Sequence, residues 1–521
     1  MLEPQNPNPS PQPNLSELEK AVAGLQQRAT QLLSQAQNQT TKSQIFYDIF
    51  YEAFRLLHQQ TVNGTRHWEI RWDVKFEKYF AYIDQVYQEI DAADINKEIF
   101  AWATGLGIEM TTGKINTIHL KLQAELKVHN NEWNADPRYL NCKNGILDLA
   151  TNKLLPHSPE FLITQRINAN FIQNPGPTQY VDQLRDQYFD GMFIVERFMQ
   201  AVLRYDLSNE MALFLNGPTG SGKGTIMNLI YEILKASSVH ASLKTLGDPK
   251  YGLYTVLNKR CFFDKDSRTR SLNDDAVENF LKITGRDLGQ GTWINGKWIR
   301  QFEANIKCFV LAATNQFARL PPGTDMLAFF RRVYIVAFGI IQNADPTFKD
   351  KIMGDIDNWF SELILMPYHP WVSPHHDQKA WAKAQSVIWD FSANPVKRYI
   401  NEMFVRGSQD INEINQDDVM DWIRQRMAND TYDPPNDIFL KQWVTSEFAR
   451  IRVRMRQVKY VHWYYPVEIK AEWQPYCTEG KDAPKTIQNE NTLLDALTQP
   501  APPKEEQPPE DEKVENPFDG K

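Results

Sequence analysis

The string "FLNGPTGSGKGT", residues 214–225, carries the strongest chemical signal in the chain. Gly217, Gly220 and Gly222 let the backbone wrap closely around phosphate oxygens, with Pro218, Thr219 and Ser221 between them. The preceding "MALFLN" reads as a short apolar strand and "KGTIMNLIYEIL" as an amphipathic helix. The helix N-terminus offers unpaired N–H groups and a dipole that favours an anion. Lys223 is expected to reach the β- and γ-phosphates of a nucleotide. The strict pattern has Ser or Thr directly after this lysine as a magnesium ligand. Gly224 stands there instead, and the hydroxyl of Thr225 arrives one position late. Thr225 is expected on phosphate, or near the metal through water.

Three further elements can serve such a loop. "KRCFFDKD" offers Asp264 and Asp266 at the end of an apolar strand. One is expected to hold Mg2+, directly or through water, and the other to polarise an attacking water. "IKCFVLAATN" is a buried-type strand ending in Asn315, placed to read a γ-phosphate. "FFRRVYIVAF" sets Arg331 and Arg332 at the start of another strand, where an arginine can stabilise charge on a transferring phosphoryl group. Between the acids and Asn315 lies "TWINGKWIRQFEA", with Asn295-Gly296 as a hairpin signal. Lys297, Trp298 and Arg300 make this hairpin basic and aromatic, which suits a single nucleic-acid strand.

Alternating strands and helices must position these residues, so residues 207–370 read as an α/β domain. Residues 1–14 are Pro/Asn-rich and expected to be disordered. Residues 15–136 are expected to form a mostly helical domain. It opens with a heptad seam from Leu15 to Ala36, capped by Ser16 and Glu19, and has Trp68, Trp72 and Trp102 as core anchors. Residues 137–206 form a small domain with two short strands, whose turns use Asn144-Gly145 and Thr151-Asn152. Residues 371–497 are expected to be helical and winged-helix-like, with Arg450, Arg452, Arg454 and Arg456 on one strand face. Residues 498–521 form an acidic, disordered tail.

Composition narrows the class. The net charge is −8, but residues 504–521 alone carry seven acids against three bases, so DNA binding by a local groove is not excluded. No apolar run is long enough to span a membrane, and the start has no signal-peptide pattern. Cys142, Cys261, Cys308 and Cys477 form no CxxC pair, which points to reduced thiols and a cytoplasmic location. His375-His376 reads as a surface loop rather than a metal site.

With these residues in order, the chain resembles superfamily 3 helicases, and more narrowly the helicase half of phage, plasmid and large-DNA-virus primase–helicases. "NGILDL", "LLPHSPE", "GPTGSGKGT", "KRCFFDKD", "LKITGRD", "LAATN" and "FFRRVYIVAF" follow in that family's order, over roughly residues 68–400. The resemblance implies an α/β, AAA+-like P-loop NTPase core with a helical N-terminal region and a small C-terminal domain. It implies a homo-oligomer, a hexameric ring, that hydrolyses ATP with Mg2+ at subunit interfaces and translocates on single-stranded or forked DNA. It makes Lys223 and Thr225 phosphate binders and Asp266 the strand acid, with Asp264 as competitor. Asn315 becomes the sensor, Arg332 or its neighbour Arg331 the arginine finger, and Lys297 part of the DNA-contacting hairpin. Residues 1–140 look too short and too helical for the primase–polymerase domain of many relatives, so a separate primase or polymerase is expected.

Two other classes compete. "GSGKGT" also opens small nucleotide kinases, but over two hundred residues precede it here and no arginine-rich lid segment follows. A regulatory DNA-binding protein with a vestigial ATP site would not need Lys223, the acids, Asn315 and the arginine pair together.

Overall fold

A computed structural model describes residues 15–479, except 63, 130–131, 207–209, 266–270, 286–291, 297–298, 305, 340, 342–344, 369–377, 394, 408–411, 430–436 and 459–460. Residues 1–14, Asp266, Lys297, Trp298, His375, His376 and the acidic tail therefore lie outside the described residues. The chain divides into two compact units: among the described residues, 15–398 with 429 form the first, and 399–428 with 437–479 the second.

Five parallel strands form the central sheet of the first unit: β1 (Ala212–Asn216), β2 (Ser238–His240), β3 (Cys261–Asp264), β4 (Phe309–Thr314) and β5 (Val333–Ala337), in the order β2-β3-β4-β1-β5. Strand alternation divides the apolar residues between two cores. Leu213, Leu215, Phe263 and Leu311 face the first, with Ile226, Met227 and Ile230 of the helix Lys223–Leu234 and with Trp359 and Phe360. Phe214, Phe262, Val310 and Ile335 face the second, with Phe280, Phe329 and Trp389. Both faces are covered, so the strands read as unbroken apolar runs. Each fully buried Leu, Ile or Phe contributes about 1.5–3 kcal/mol to holding the sheet.

The chain leaves β1 through the helix, jumps to the sheet edge at β2, returns inward through β3 and β4, and ends on the other side of β1 at β5. The strand order therefore reverses at β1. In open α/β sheets, ligands bind at such a reversal, outside the carboxyl ends of the strands. The glycine loop leaves β1 at that end.

The expectation that residues 15–136 form a mostly helical domain is corrected. Helices Leu15–Gln35 and Gln39–His58 are followed by a hairpin, Gln59–Val62 with Thr65–Trp68, and by a four-stranded sheet. That sheet runs in the order Val86–Ile90, Lys78–Ile83, Ile70–Asp73, Lys127–Val128. Helices Ala92–Gly105 and Thr112–Leu126 complete the region. The physical cause is strand propensity: "KYFAYI" and "VYQEI" are rich in aromatic and β-branched residues, which pack well on a pleated, half-buried surface. The turn between these strands puts Asp84 and Gln85 at positive φ. Trp68 and Trp102 are buried as expected, and Trp72 packs partly buried against the same core. Ser16 is the second residue of the helix Leu15–Gln35 rather than a residue ahead of it.

Residues 137–155 form three antiparallel strands, Tyr139–Cys142, Gly145–Asp148 and Lys153–Leu155, rather than two. Gly145 is required there: at φ 156° a Cβ would stand 2.6 Å from the Leu155 carbonyl oxygen.

In the second unit, strand Ile414–Asn415 leads to helices Gln416–Asn429 and Asp437–Arg450, then to strands Arg454–Val458 and Val461–Tyr465. The strand Val461–Tyr465 lies between the other two. Phe404 meets Phe448 edge to face and Phe448 lies tilted against Tyr464, with ring centroids 5.3 and 4.5 Å apart. The expected four-arginine face is corrected. Arg450 ends a helix, Arg452 sits at φ 62°, and only Arg454 and Arg456 share the strand. Arg450 bonds Glu447 and Asn401, and Arg456 pairs with Glu413.

Candidate phosphate site

The loop is built by close backbone approaches that only glycine permits. Gly217, Gly220 and Gly222 have φ of 156°, 82° and 78°. A Cβ on Gly217 would stand 2.2 Å from the Phe338 carbonyl oxygen. That carbonyl follows β5, and the Phe338 N–H donates back to the Asn216 carbonyl at 2.8 Å. The loop is thus pinned to the neighbouring strand at its first residue. Gly222 is the N-cap of the helix Lys223–Leu234. Gly224 is different: a Cβ there would meet nothing within 4 Å, so neither packing nor φ demands glycine.

Lys223 is 8% exposed. Its Nζ donates to the carbonyl oxygens of Gly217 and Pro218 at 2.6 and 2.8 Å and to Ser221 Oγ at 3.0 Å. The ammonium is therefore held inside the loop, where phosphate oxygens would replace some of these acceptors. Asn315, just past β4, donates from Nδ2 to Thr219 Oγ1 at 3.0 Å. The loop and the expected sensor residue are brought together.

The acids divide. Asp264 is 3% exposed and its Oδ2 accepts the Leu243 N–H at 2.8 Å. In the sheet it stands level with Ala312 and hence with Phe214, two rows short of the Asn216–Thr314 row where the loop begins. Asp264 is thus set back from the loop and engaged with backbone. Lys265 turns the other way: its Nζ lies 3.7 Å from the centre of the Tyr231 ring and 3.3 Å from Asn228 Oδ1, both on the loop helix. Desolvation lowers its pKa.

The arginines lie elsewhere. Both precede β5, at the strand-start edge of the sheet, opposite the loop. The Arg332 carbonyl accepts the Ala212 N–H at 2.7 Å, which fixes this level. Five-residue strands separate the two edges, roughly 13–17 Å at about 3.3 Å per residue. Arg332 is buried; its Nη2 lies 2.8 Å from Glu210 Oε1, and Nη1 donates to the Ala328 carbonyl. Arg331 is 37% exposed in its side chain and reaches Glu210 Oε2 at 3.0 Å.

The hairpin pairs Thr292–Gly296 with Ile299–Ala304. Gly296 pairs with Ile299, and the register shifts between Ile294 and Gly296. The Asn295-Gly296 turn is therefore corrected: this dipeptide lies in the strand Thr292–Gly296, at a register irregularity. Lys297 and Trp298 lie outside the described residues, as does the side chain of Arg300. Phe302 anchors the stem on Phe76, edge to face at 5.0 Å.

Three residues acquire a place at the site only in the structure. Trp293 is 65% exposed on the hairpin stem, and its exposure depends on a register that a turn signal placed wrongly. The Tyr188 hydroxyl lies 3.1 Å from the Ser221 carbonyl oxygen and 3.0 Å from that of Gly339, and its single proton, donated to either, links the loop and the segment after β5. No local pattern marks it, because its partners are 33 and 151 residues away. Lys265 was visible as the residue between two acids, but its direction needed the strand's register.

Residues 44–193 match a family model described as "D5 N terminal like". The matched segment ends before the phosphate loop. No curated protein matches the chain. Among solved structures, one described as "The A form apo structure of NrS-1 C terminal region-CTR" is 12% identical, with TM-score 0.41. Another, "The apo structure of NrS-1 C terminal region (305-718)", is 12% identical with TM-score 0.42. Each covers 76% of this chain and 95% of that chain. No helix among the described residues is long and apolar enough to cross a membrane.

Proposed function

We propose that this chain is an ATP-dependent DNA helicase of the phage or plasmid replication type. The observation that carries this reading is the glycine loop at the point where the strand order reverses, with Lys223 inside it and Asn315 bonded to Thr219. The loop fits a nucleotide's phosphates: its glycines provide the close backbone approach, and Lys223 and the helix N-terminus provide positive charge. The match of residues 44–193 to a D5-type N-terminal family supports the same reading.

In this reading Lys223 leaves the loop carbonyls for the β- and γ-phosphates, and Asn315 moves from Thr219 to orient the γ-phosphate or the attacking water. Mg2+ would neutralise phosphate charge when bound. Thr225 is a candidate to approach it, and Asp266 is preferred as the acid because Asp264 is held by the Leu243 N–H. An arginine that acts on the γ-phosphate must come from another subunit, because this chain's own pair lies at the opposite sheet edge. Arg331, the more exposed of the two, is the preferred finger. This favours a closed homo-oligomer, and a hexameric ring is the proposed form. The hairpin with Lys297, Trp298, Arg300 and Trp293 would hold one DNA strand by phosphate attraction and base stacking. The second unit, with its two helices and three-stranded sheet, is proposed as a winged-helix-type DNA-binding module. A separate primase or polymerase remains a proposed partner, although the N-terminal sheet removes the helical argument for it.

The deciding experiment measures ATP hydrolysis with and without single-stranded DNA, and ADP formation from ATP and AMP. DNA-stimulated release of phosphate supports the helicase reading. Phosphoryl transfer to AMP without DNA stimulation replaces it with a nucleotide kinase.

A further inference from the structure

At the sheet edge opposite the phosphate loop lies a cavity of about 160 Å³, between the 133–165 segment and the starts of β3 and β4. Arg260, directly before β3, is 5% exposed and lies on its wall. Its Nε donates to Gln165 Oε1 at 2.6 Å. Its Nη1 donates to the carbonyl oxygens of Val202 and Leu203 at 3.3 and 2.9 Å. The guanidinium also lies over the Tyr205 ring, 5.4 Å from its centre. None of these partners is a carboxylate. Nη2 donates to no protein group among the described residues.

Val202 and Leu203 belong to the last turn of the helix Phe189–Arg204. The C-terminus of a helix carries the equivalent of about half a negative charge. This offsets part of the guanidinium's charge and leaves the rest in a buried site, where uncompensated charge is costly. Burial pushes the Arg260 pKa down to about 10, the direction expected of a cation without a counter-ion. Two more donors line the cavity without a protein hydrogen bond among the described residues, the Asn258 side-chain amide and the Tyr139 hydroxyl. Lys307 lines the cavity with its ammonium turned to the Lys282 carbonyl oxygen at 3.3 Å, and Asp136 adds a negative charge to the wall.

We propose that this cavity is a binding site for a small oxyanion of the phosphate class, held by Arg260 Nη2 with Asn258 and Tyr139. Several acceptor oxygens on one compact anion match one cation surrounded by neutral donors. The site is separate from the phosphate loop: Arg260 and Asp264 stand at opposite ends of β3. An anion there would connect the segment matched to the D5-type family with the strand that carries the acids.

The test uses the full chain with Lys223→Ala, so that phosphate binding at the loop is removed, and titrates it with inorganic phosphate by calorimetry. One saturable site is expected. Arg260→Gln should weaken it at least about tenfold, since a hydrogen-bonded charge is lost. Asp136→Asn should tighten it several-fold by removing a like charge, while keeping an oxygen to accept the Arg138 N–H. A parallel titration with ADP separates the two sources of the group. Displacement of phosphate by ADP assigns the site to a nucleotide's phosphate, and no displacement assigns it to the free ion. No saturable binding, or binding unchanged by both substitutions, overturns the proposal. If Arg260→Gln does not fold, the direction of the Asp136→Asn effect decides.

Discussion

Glu210 and Arg332 form an ion pair with both side chains largely buried, Oε1 to Nη2 at 2.8 Å, at the start of the central sheet. Arg331 reaches the other oxygen of the same carboxylate from a more exposed position. Neighbouring arginines thus have different duties. Removing Arg332 leaves a buried carboxylate short of a partner, so Arg332→Ala should destabilise the protein by about 3 kcal/mol. Thermal unfolding followed by circular dichroism measures this, and an unchanged midpoint would show the pair to be dispensable.

Arg331→Ala should fold and bind ATP, yet lose about 10³–10⁵ in hydrolysis if it acts as the finger. Because the arginine edge and the loop edge of one chain are a strand length apart, a finger role would require it to act in trans. Mixing Arg331→Ala with Lys223→Ala should restore part of the turnover, since mixed interfaces join an intact loop to an intact finger. Mixtures that stay inactive despite confirmed subunit exchange contradict this.

Gly224 occupies the position where the strict loop pattern has a hydroxyl, and the structure leaves room for a side chain there. Gly224→Ser should fold without strain. It should gain about 0.5 kcal/mol from reduced backbone entropy, and its hydroxyl should lower the Mg2+ concentration that half-saturates hydrolysis. A Mg2+ titration of ATP turnover checks this; an unchanged or weakened requirement would place the metal out of reach of this hydroxyl.

The hairpin should grip DNA without touching ATP chemistry. Trp293→Ala should weaken single-strand binding by about 1–3 kcal/mol if a base stacks on the exposed indole. Lys297→Ala should flatten the salt dependence of binding by a slope of about 0.7. Both should retain basal hydrolysis and lose DNA stimulation. Fluorescence titrations at several salt concentrations measure these effects, and unchanged affinity and slope would make the hairpin a structural element only.

In the N-terminal region, Tyr79 OH lies 2.8 Å from His119 Nδ1, and His119 Nε2 lies 2.8 Å from Asn96 Oδ1. Burial lowers the pKa of His119. The unfolded chain therefore takes up the proton first, near pH 6.5. Stability contributed by this site should be complete above that value and fall as pH drops from about 6.5 toward the lower folded pKa. His119→Gln should flatten this part of the stability–pH curve; an unchanged slope between pH 7 and 5 would assign the acid sensitivity to other groups.

The glycine loop was legible because its close backbone approaches and positive φ angles require glycine, and the apolar runs of β1, β3 and β4 were legible because both sheet faces are buried. The N-terminal sheet was missed because adjacent apolar residues such as Tyr79 and Phe80, both buried, show no two-residue alternation to mark a strand. The roles of Asp264 and Arg332 were hidden because they depend on partners distant in sequence, Leu243 and Glu210. The hairpin turn was misplaced because Asn295-Gly296 also fits a register irregularity within a strand. Tyr188 was silent for the same reason of distance.

The most direct measurement is strand displacement on a forked DNA duplex with ATP and Mg2+, comparing the wild-type chain with Lys223→Ala. The wild type should separate the strands in an ATP-dependent manner, and Lys223→Ala should remain folded, bind DNA and separate none. Unwinding by Lys223→Ala, or a wild type that hydrolyses ATP yet never separates the fork, would contradict the helicase reading.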